Sequence, residues 1–151
     1  MKNLLVTLFA CATLSYVNAA ENKTIRISTD NTDLVLQVGD NGRLYQTYLG
    51  EKLLHEQDLN NFQWNIHAGA DGSVSKRGWE VYGGSGNEDY FEPAIAITHN
   101  DGNPSTMLYY VSSSSKAVEG GTETVVNLRD DQYPVDVTLH YVAYPKENVI
   151  K

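Results

Sequence analysis

The chain has 151 residues, a formal net charge of −8 at pH 7 and a single cysteine. Eleven lysine and arginine residues stand against nineteen acidic ones, so the chain lacks the basic surface with which proteins neutralise nucleic-acid phosphates. Nucleic-acid binding is therefore set aside as a function class.

The first residues are typical of a secretory signal peptide. One lysine precedes an apolar run from Leu4 to Leu14, and the small residues that follow favour cleavage after Ala19. A membrane-spanning helix is the competing interpretation, but the run is too short and contains two threonines. A lipoprotein signal through Cys11 would leave only a stub of apolar residues before the cut. We expect residues 1–19 to be removed and the protein to be exported, to the periplasm or the exterior, without membrane attachment.

Cleavage would change the charge and the cysteine content of the mature chain. Residues 1–19 contain one lysine and no acid, so the net charge changes from −8 to −9. The only cysteine is lost as well, and a secreted protein without a disulfide must be stabilised by core burial alone. The 132 residues that remain (151 less 19) are enough for one domain with such a core.

The mature chain alternates apolar and polar residues with a period of two, as β-strands with one buried face do. TIRIS places Ile25 and Ile27 on one face, and DLVLQV likewise places three apolar residues on one face. The turn residues Asp40, Asn41 and Gly42 separate this run from RLYQTYL. The pattern predicts a hairpin in which the glycine takes a positive φ angle.

Further turns divide the rest of the chain. Residues 51–61 predict one short helical turn or a loop. Turn residues recur at 100–103, between EPAIAITH and MLYYVSS, and at 119–121, before TETVVNL, and each predicts another hairpin. VDVTLHYVA is the clearest strand, because its alternate residues from Val135 to Ala143 form one apolar face.

These elements predict an all-β fold, an antiparallel β-sandwich. After Pro145, the segment ENVIK is typical of the opening of one more strand. We therefore expect the chain to be an incomplete portion of a larger, supersandwich-like domain.

Three acidic residues, Glu88, Asp89 and Glu92, lie between a glycine cluster and the predicted strand EPAIAITH. A retaining glycosidase needs two carboxyl groups about 5–5.5 Å apart. Glu88 and Asp89 are neighbours and point to opposite faces of an extended chain, so they cannot form that pair. The pattern favours a solvated rim that leads into a strand, with Pro93 fixing the backbone.

No spacing in the chain is typical of a metal, phosphate or nucleophile site. The four histidines are far apart and form no H-E-x-x-H pair, and two turns rich in Asp and Asn are only fragments of a calcium loop. No G-x-S-x-G motif is present. We predict no metal and no cofactor.

The aromatic residues leave one candidate for ligand binding. Trp64 and Trp79 flank a polar, glycine-rich stretch, and exposed tryptophans can stack against the C–H faces of sugar rings. Burial in the core is the other interpretation, since large aromatic side chains supply much of the apolar area of cores.

The order of these features resembles the N-terminal β-sandwich region of glycoside hydrolase family 36, the α-galactosidases (melibiases). There, a strand ending in a glycine turn is followed by an aromatic, glycine-rich stretch and then by an acidic residue, a phenylalanine and a Pro-Ala pair. This chain has DYFEPA from Asp89 to Ala94, then the Asp-Gly hairpin, MLYYVSS, and a closing strand before NVI. The resemblance covers residues from about 30 to 151.

The resemblance implies that the complete protein is a retaining α-galactosidase that hydrolyses terminal α-galactosides. In the family, the nucleophile and the general acid are aspartates on a (β/α)₈ barrel that follows the sandwich, and Lys-Trp-Asp surrounds the nucleophile. That tripeptide does not occur here, because Trp64 precedes Asn65 and Trp79 precedes Glu80. We expect residues 20–151 to be a non-catalytic N-terminal domain, inactive by itself.

The resemblance also implies partners and a sugar contact. The partners are the catalytic barrel, an α-galactoside and further copies in a homo-oligomer. In some members an acidic residue early in the sandwich reaches the sugar, and Asp58 lies in the corresponding stretch. The predicted substrate contacts are Asp58, Trp64 and Trp79. The alternative functions are a free-standing secreted carbohydrate-binding module and a structural module for oligomer contacts.

Overall fold

The computed structural model describes residues 23–60, 79–86 and 92–151. The predicted signal peptide and Trp64 lie outside this part of the chain. The strands are β1 (Thr24–Ser28), β2 (Thr32–Val38), β3 (Leu44–Glu51), β4 (Trp79–Glu80), β5 (Leu108–Val118), β6 (Gly121–Asp130), β7 (Asp136–Tyr144) and β8 (Val149–Ile150). One 3-10 helix, Glu56–Asn60, follows β3.

The strands form two antiparallel sheets that both follow chain order, β1-β2-β3-β4 and β5-β6-β7-β8. The inner faces of the two sheets meet in one apolar core, which confirms the predicted all-β sandwich. Buried core residues come from both sheets: Ile25, Ile27, Leu34, Leu36, Val38, Leu44, Leu108, Val126, Leu128 and Ala143. Within the described residues, no helix is long and apolar enough to span a bilayer.

Two of the predicted hairpins are confirmed. Gly42, in the turn between β2 and β3, has a φ of 78°, and Gly120, between β5 and β6, has a φ of 74°. Only glycine adopts this region without a steric cost from Cβ, which explains why both turns contain it. The strand predicted in ENVIK is also confirmed. It is β8, which pairs with Ala143 and Tyr144 of β7.

The prediction that EPAIAITH forms a strand is wrong. Gly102 does make the predicted turn, with a φ of 85°, but residues 92–107 belong to no ladder and have only an isolated bridge between Gly84 and Ile95. The backbone here is paired elsewhere, since the Ala94 amide donates to the Gly83 carbonyl and the Ser85 amide donates to Ile95. The glycine-rich stretch thus takes the hydrogen bonds that a hairpin partner would have used. Glu92 is exposed, as predicted for the acidic rim, while Glu88 and Asp89 lie outside the described residues.

Strand β2 is buried on both faces, which alternation alone did not predict. Leu34, Leu36 and Val38 face the core, while Asp33 and Val35 on the opposite face are also 0% exposed. The segment that follows β3 folds back over this outer face, and its contacts are described below. Strand β2 therefore lies between the core and the segment that follows β3.

Gly84 lies where the glycine-rich stretch meets the chain before β5. A Cβ atom at Gly84 would lie 2.1 Å from the carbonyl oxygen of Thr106, whereas one at Gly83 would come no closer than 3.4 Å to any neighbour. We expect Gly84→Ala to destabilise the chain by about 1–3 kcal/mol, because backbone must move to admit the methyl group. Urea unfolding of Gly84→Ala and of the matched control Gly83→Ala tests this. Equal unfolding midpoints for the two variants would contradict it.

Candidate functional site

The polypeptide between β3 and β4, residues 52–78, contains the predicted sugar contacts Asp58 and Trp64 and ends beside Trp79. We call it the β3–β4 connection, and the structure describes its first part, residues 52–60. At its far end the backbone of Trp79 pairs with Gln46 of β3. Among the predicted contacts, only the side chain of Asp58 is described, so their meeting at one site stays a prediction.

Two charged residues on the outer face of the first sheet hold the backbone of Leu53. The Leu53 amide donates to Asp33 Oδ2 at 2.7 Å, and the Leu53 carbonyl accepts from Arg26 Nη2 at 2.7 Å. Arg26 also donates to Asp33 Oδ2 from Nε at 3.1 Å and from Nη2 at 2.6 Å. Asp33 is fully buried and Arg26 largely so, with side-chain exposures of 0% and 22%. This Leu53 clamp, formed by Arg26 and Asp33, fixes one residue of the connection through both of its backbone groups.

The same contacts determine the ionisation of Asp33. Burial by itself raises the pKa of this carboxyl group, but hydrogen bonds from Arg26, Ser28 and the Leu53 amide outweigh burial and hold the pKa below its usual value. Asp33 is therefore a carboxylate at neutral pH. Its charge is compensated where it lies, beneath the connection.

The 3-10 helix carries Asp58 just beyond the clamp. The Asp58 carboxylate accepts from the His55 amide at 3.3 Å, and the Asp58 amide donates to the His55 carbonyl at 3.0 Å. An acidic side chain that bonds to a free amide at a helix start is ordinary capping chemistry. The helix is further attached to the sheet at both ends: Glu56 accepts from Arg26 Nη1 at 3.0 Å and Leu59 accepts from Gln37 Nε2 at 3.1 Å.

A second ion pair lies where the connection returns to the sheet. Arg43, just before β3, pairs with Glu80 of β4, and the exposed fractions of the two side chains are 19% and 10%. The amide of Val81 also donates to the carbonyl of Leu44 at 3.1 Å. The Leu53 clamp therefore holds the start of the connection, and the Arg43–Glu80 pair holds β4, the strand that follows it.

The sequence pattern did not predict these anchoring residues. Alternation places Arg26 and Asp33 on the outer face of a hairpin, where charged residues are usually solvated. One signal was present, since opposite charges at diagonal positions of adjacent antiparallel strands lie within reach of each other. Nothing in the local sequence indicated that Leu53, 20 residues later than Asp33, would cover them.

A second polar cluster connects the two turns at one end of the sandwich. The His99 ring stacks on Tyr133, with centroids 3.5 Å apart, and its Nε2–H donates to the Ser105 carbonyl oxygen at 3.0 Å. The Tyr133 hydroxyl donates to Asp101 Oδ2 at 2.9 Å and accepts from Asn103 Nδ2 at 2.8 Å. These contacts join the polar side chains of the two turns to one another, which is typical of a structural corner.

Asp130 is the buried carboxylate of this corner. It accepts from the amides of Met107, at 2.7 Å, and of Gln132 and Tyr133, both at 2.8 Å. Burial raises the pKa of Asp130, but the hydrogen bonds from these three amides lower it by more. The pKa therefore lies below that of a free aspartate. Asp130 thus holds the β6–β7 turn against the start of β5.

The two buried carboxylates predict the pH dependence of stability. Their pKa values are lowered on folding, so their contribution is fully present above the unfolded value of about 3.9 and is lost as pH falls through the folded values. We expect the midpoint of urea unfolding to decrease as the pH is lowered below about 4. Asp33→Asn should reduce the free energy of unfolding by less at pH 3 than at pH 7. An equal cost at both pH values would refute the assignment of Asp33 as a stabilising carboxylate.

In the part of the chain that the structure describes, no group of three or more His, Cys, Asp or Glu side chains is arranged to hold a metal ion. Asp33 and Asp130 have lowered pKa values, whereas the general acid of a glycosidase needs a raised one. Neither buried carboxylate is therefore suited to proton donation.

The fold is shared by solved α-galactosidases. The chain is similar to the α-galactosidase from Lactobacillus brevis, with 21% identity and a TM-score of 0.63 over 87% of this chain and 21% of that one. It is also similar to the α-galactosidase AgaA from Geobacillus stearothermophilus in complex with stachyose, with 22% identity and a TM-score of 0.68 over 85% of this chain and 21% of that one. The chain thus spans about a fifth of the length of these enzymes. No curated protein matches it.

The sequence itself carries the family assignment. The pattern of the glycosyl hydrolase family 36 N-terminal domain matches residues 42–151. The matched range begins at the β2–β3 turn and includes every strand of the second sheet. The chain therefore belongs to the glycosyl hydrolase family 36 N-terminal domain family.

Proposed function

We propose that this chain is the non-catalytic N-terminal domain of an exported, retaining α-galactosidase. The observation that carries the proposal is the family match over residues 42–151. The fold also matches 21% of the length of two solved α-galactosidases. The larger remainder of such an enzyme has room for the catalytic (β/α)₈ barrel. The lowered pKa values of Asp33 and Asp130 agree with a supporting role.

In the complete enzyme, hydrolysis of a terminal α-galactoside proceeds by double displacement. A nucleophilic aspartate on the barrel forms a covalent glycosyl intermediate, and a second aspartate protonates the leaving group and then activates water. The domain contributes a surface that packs against the barrel and supports a homo-oligomer. No catalytic residue is assigned to this chain.

Asp58, Trp64 and Trp79 are the proposed contacts to the sugar. A carboxylate accepts hydrogen bonds from sugar hydroxyls, and tryptophan rings stack against the apolar faces of the sugar ring. Two contacts support this proposal: the Leu53 clamp fixes the start of the connection, and the Arg43–Glu80 pair fixes the strand that follows it. Sites that bind ligands need elements with defined positions.

The test of the non-catalytic role is an assay on the purified mature chain, residues 20–151. We expect no turnover of p-nitrophenyl α-galactoside or raffinose, and measurable turnover would overturn the proposal. Calorimetric titration with raffinose distinguishes the alternative function. Binding by the mature chain alone would favour a free-standing carbohydrate-binding module.

Export is tested by the N-terminus of the protein recovered outside the cytoplasm. Cleavage after Ala19 predicts a mature chain that begins at Ala20. An intact N-terminus on a cytoplasmic protein would contradict export.

A further inference from the structure

We infer that Arg26, Asp33 and Gln37 are positioning residues that orient Asp58 for its contact with the substrate sugar. The inference rests on the proposed function, and it adds to that function a set of residues that never touch the substrate. Arg26 lies on β1, while Asp33 and Gln37 lie on β2. All three point to the outer face of the first sheet.

The anchors lie on both sides of Asp58 in the chain. Before it, Leu53 is held by the Leu53 clamp and Glu56 accepts from Arg26 at 3.0 Å. After it, the Leu59 carbonyl accepts from Gln37 at 3.1 Å. Asp58 is thus carried on a segment whose position and direction are fixed by the outer face of two paired strands.

Apolar burial fixes this segment only in part, because Leu53 and Leu59 are half-buried. The 3-10 helix has no buried residue, and Leu54, which directly follows the clamped residue, is 85% exposed. The hydrogen bonds to the outer face of the sheet therefore determine much of the path of this segment. The orientation of Asp58 therefore depends on Arg26, Asp33 and Gln37.

An arrangement that served stability alone would have a simpler form. Replacing buried ion pairs by well-packed apolar side chains is often neutral or stabilising, and Val35, on the same face, is already covered completely. Here the guanidinium and the carboxylate bind the two backbone groups of a single residue, which specifies a direction as well as a contact.

The positioning role predicts a particular kinetic pattern. Asp58 would contact the sugar in both the ground state and the transition state, so its displacement weakens uniform binding and raises KM while kcat stays unchanged. The effect of an anchor substitution should also depend on Asp58. Residues that act through one another give non-additive effects in a double-mutant cycle.

The experiment uses the full-length enzyme that carries this domain, with raffinose as the substrate. Arg26→Lys keeps the charge but loses the planar fork that reaches several acceptors at once. Gln37→Met removes the bond to Leu59 and keeps the volume. Each is combined with Asp58→Asn. The control is Arg129→Lys, which weakens an exposed ion pair with Asp136 on the second sheet.

We expect Arg26→Lys and Gln37→Met to raise KM by about fivefold or more, with kcat within about twofold of wild type. In the Asp58→Asn background the same substitutions should change KM by less than about twofold. The control Arg129→Lys should change neither KM nor kcat. If Arg26→Lys does not fold, as judged by thermal unfolding, Gln37→Met alone decides.

Two results would overturn the inference while leaving the proposed function intact. One is an equal rise in KM with and without Asp58, and the other is an Asp58→Asn enzyme whose KM is that of wild type. Absence of raffinose turnover by the wild-type protein is a separate result, because it overturns the proposed function and the inference with it.

Discussion

Arg26→Met should lower the free energy of unfolding by about 3 kcal/mol. The substitution leaves the fully buried Asp33 carboxylate without its cation, and an uncompensated buried charge is among the most destabilising changes in a protein. It also removes the donor to the Leu53 carbonyl. Urea unfolding at pH 7, followed by tryptophan fluorescence and by circular dichroism, measures the effect.

The control for this prediction is Arg129→Met. Arg129 makes a comparable two-point contact with Asp136, at 2.6 and 3.2 Å, but both side chains are exposed. Exposed pairs contribute little because water solvates the separated ions well. We expect this variant to unfold close to wild type. A loss equal to that of Arg26→Met would mean that burial does not set the strength of the first pair.

Leu36→Ala should be comparably destabilising, by about 2–5 kcal/mol. Leu36 lies on the central strand β2, faces the core, and is 0% exposed. Its truncation leaves a cavity that cannot collapse easily, because β2 is covered on the other face as well and cannot shift toward the core without losing those contacts.

Leu54→Ala is the matched control, because it is the same substitution at a side chain that is 85% exposed. We expect its unfolding midpoint to stay within error of wild type in the same urea titration. A clear loss of stability for Leu54→Ala would show that this leucine is buried against something in solution.

The architecture was predictable from the sequence where the pattern was local. Alternation and glycine turns identified β2, β3, β6 and β7, and the alternate side chains from Val135 to Ala143 do pack against the core. The failure at EPAIAITH has a physical reason. Its alternation is that of a strand, but the backbone groups of Ala94 and Ile95 are paired with the glycine-rich stretch, and no periodicity reports on that partner.

The anchored site was less predictable, because it is made of contacts between residues far apart in sequence. Arg26 and Leu53 are separated by 27 residues, and their meeting depends on a chain reversal after β3. Family resemblance predicts Asp58 as a sugar contact, but no sequence pattern indicates the residues that hold its segment. A charged residue on a strand face has the same sequence signature whether it faces water or another segment of the chain.

The first sheet holds both the start of the β3–β4 connection and the strand that follows it, which has a consequence for engineering. Because Leu53 and Glu80 each have their own partners on the sheet, we expect a replacement of residues 61–78 to leave the register of β3 and β4 unchanged. The first sheet then serves as a fixed support for the sequence that joins β3 to β4. A stretch grafted from another domain of the family should therefore leave the unfolding midpoint close to that of wild type.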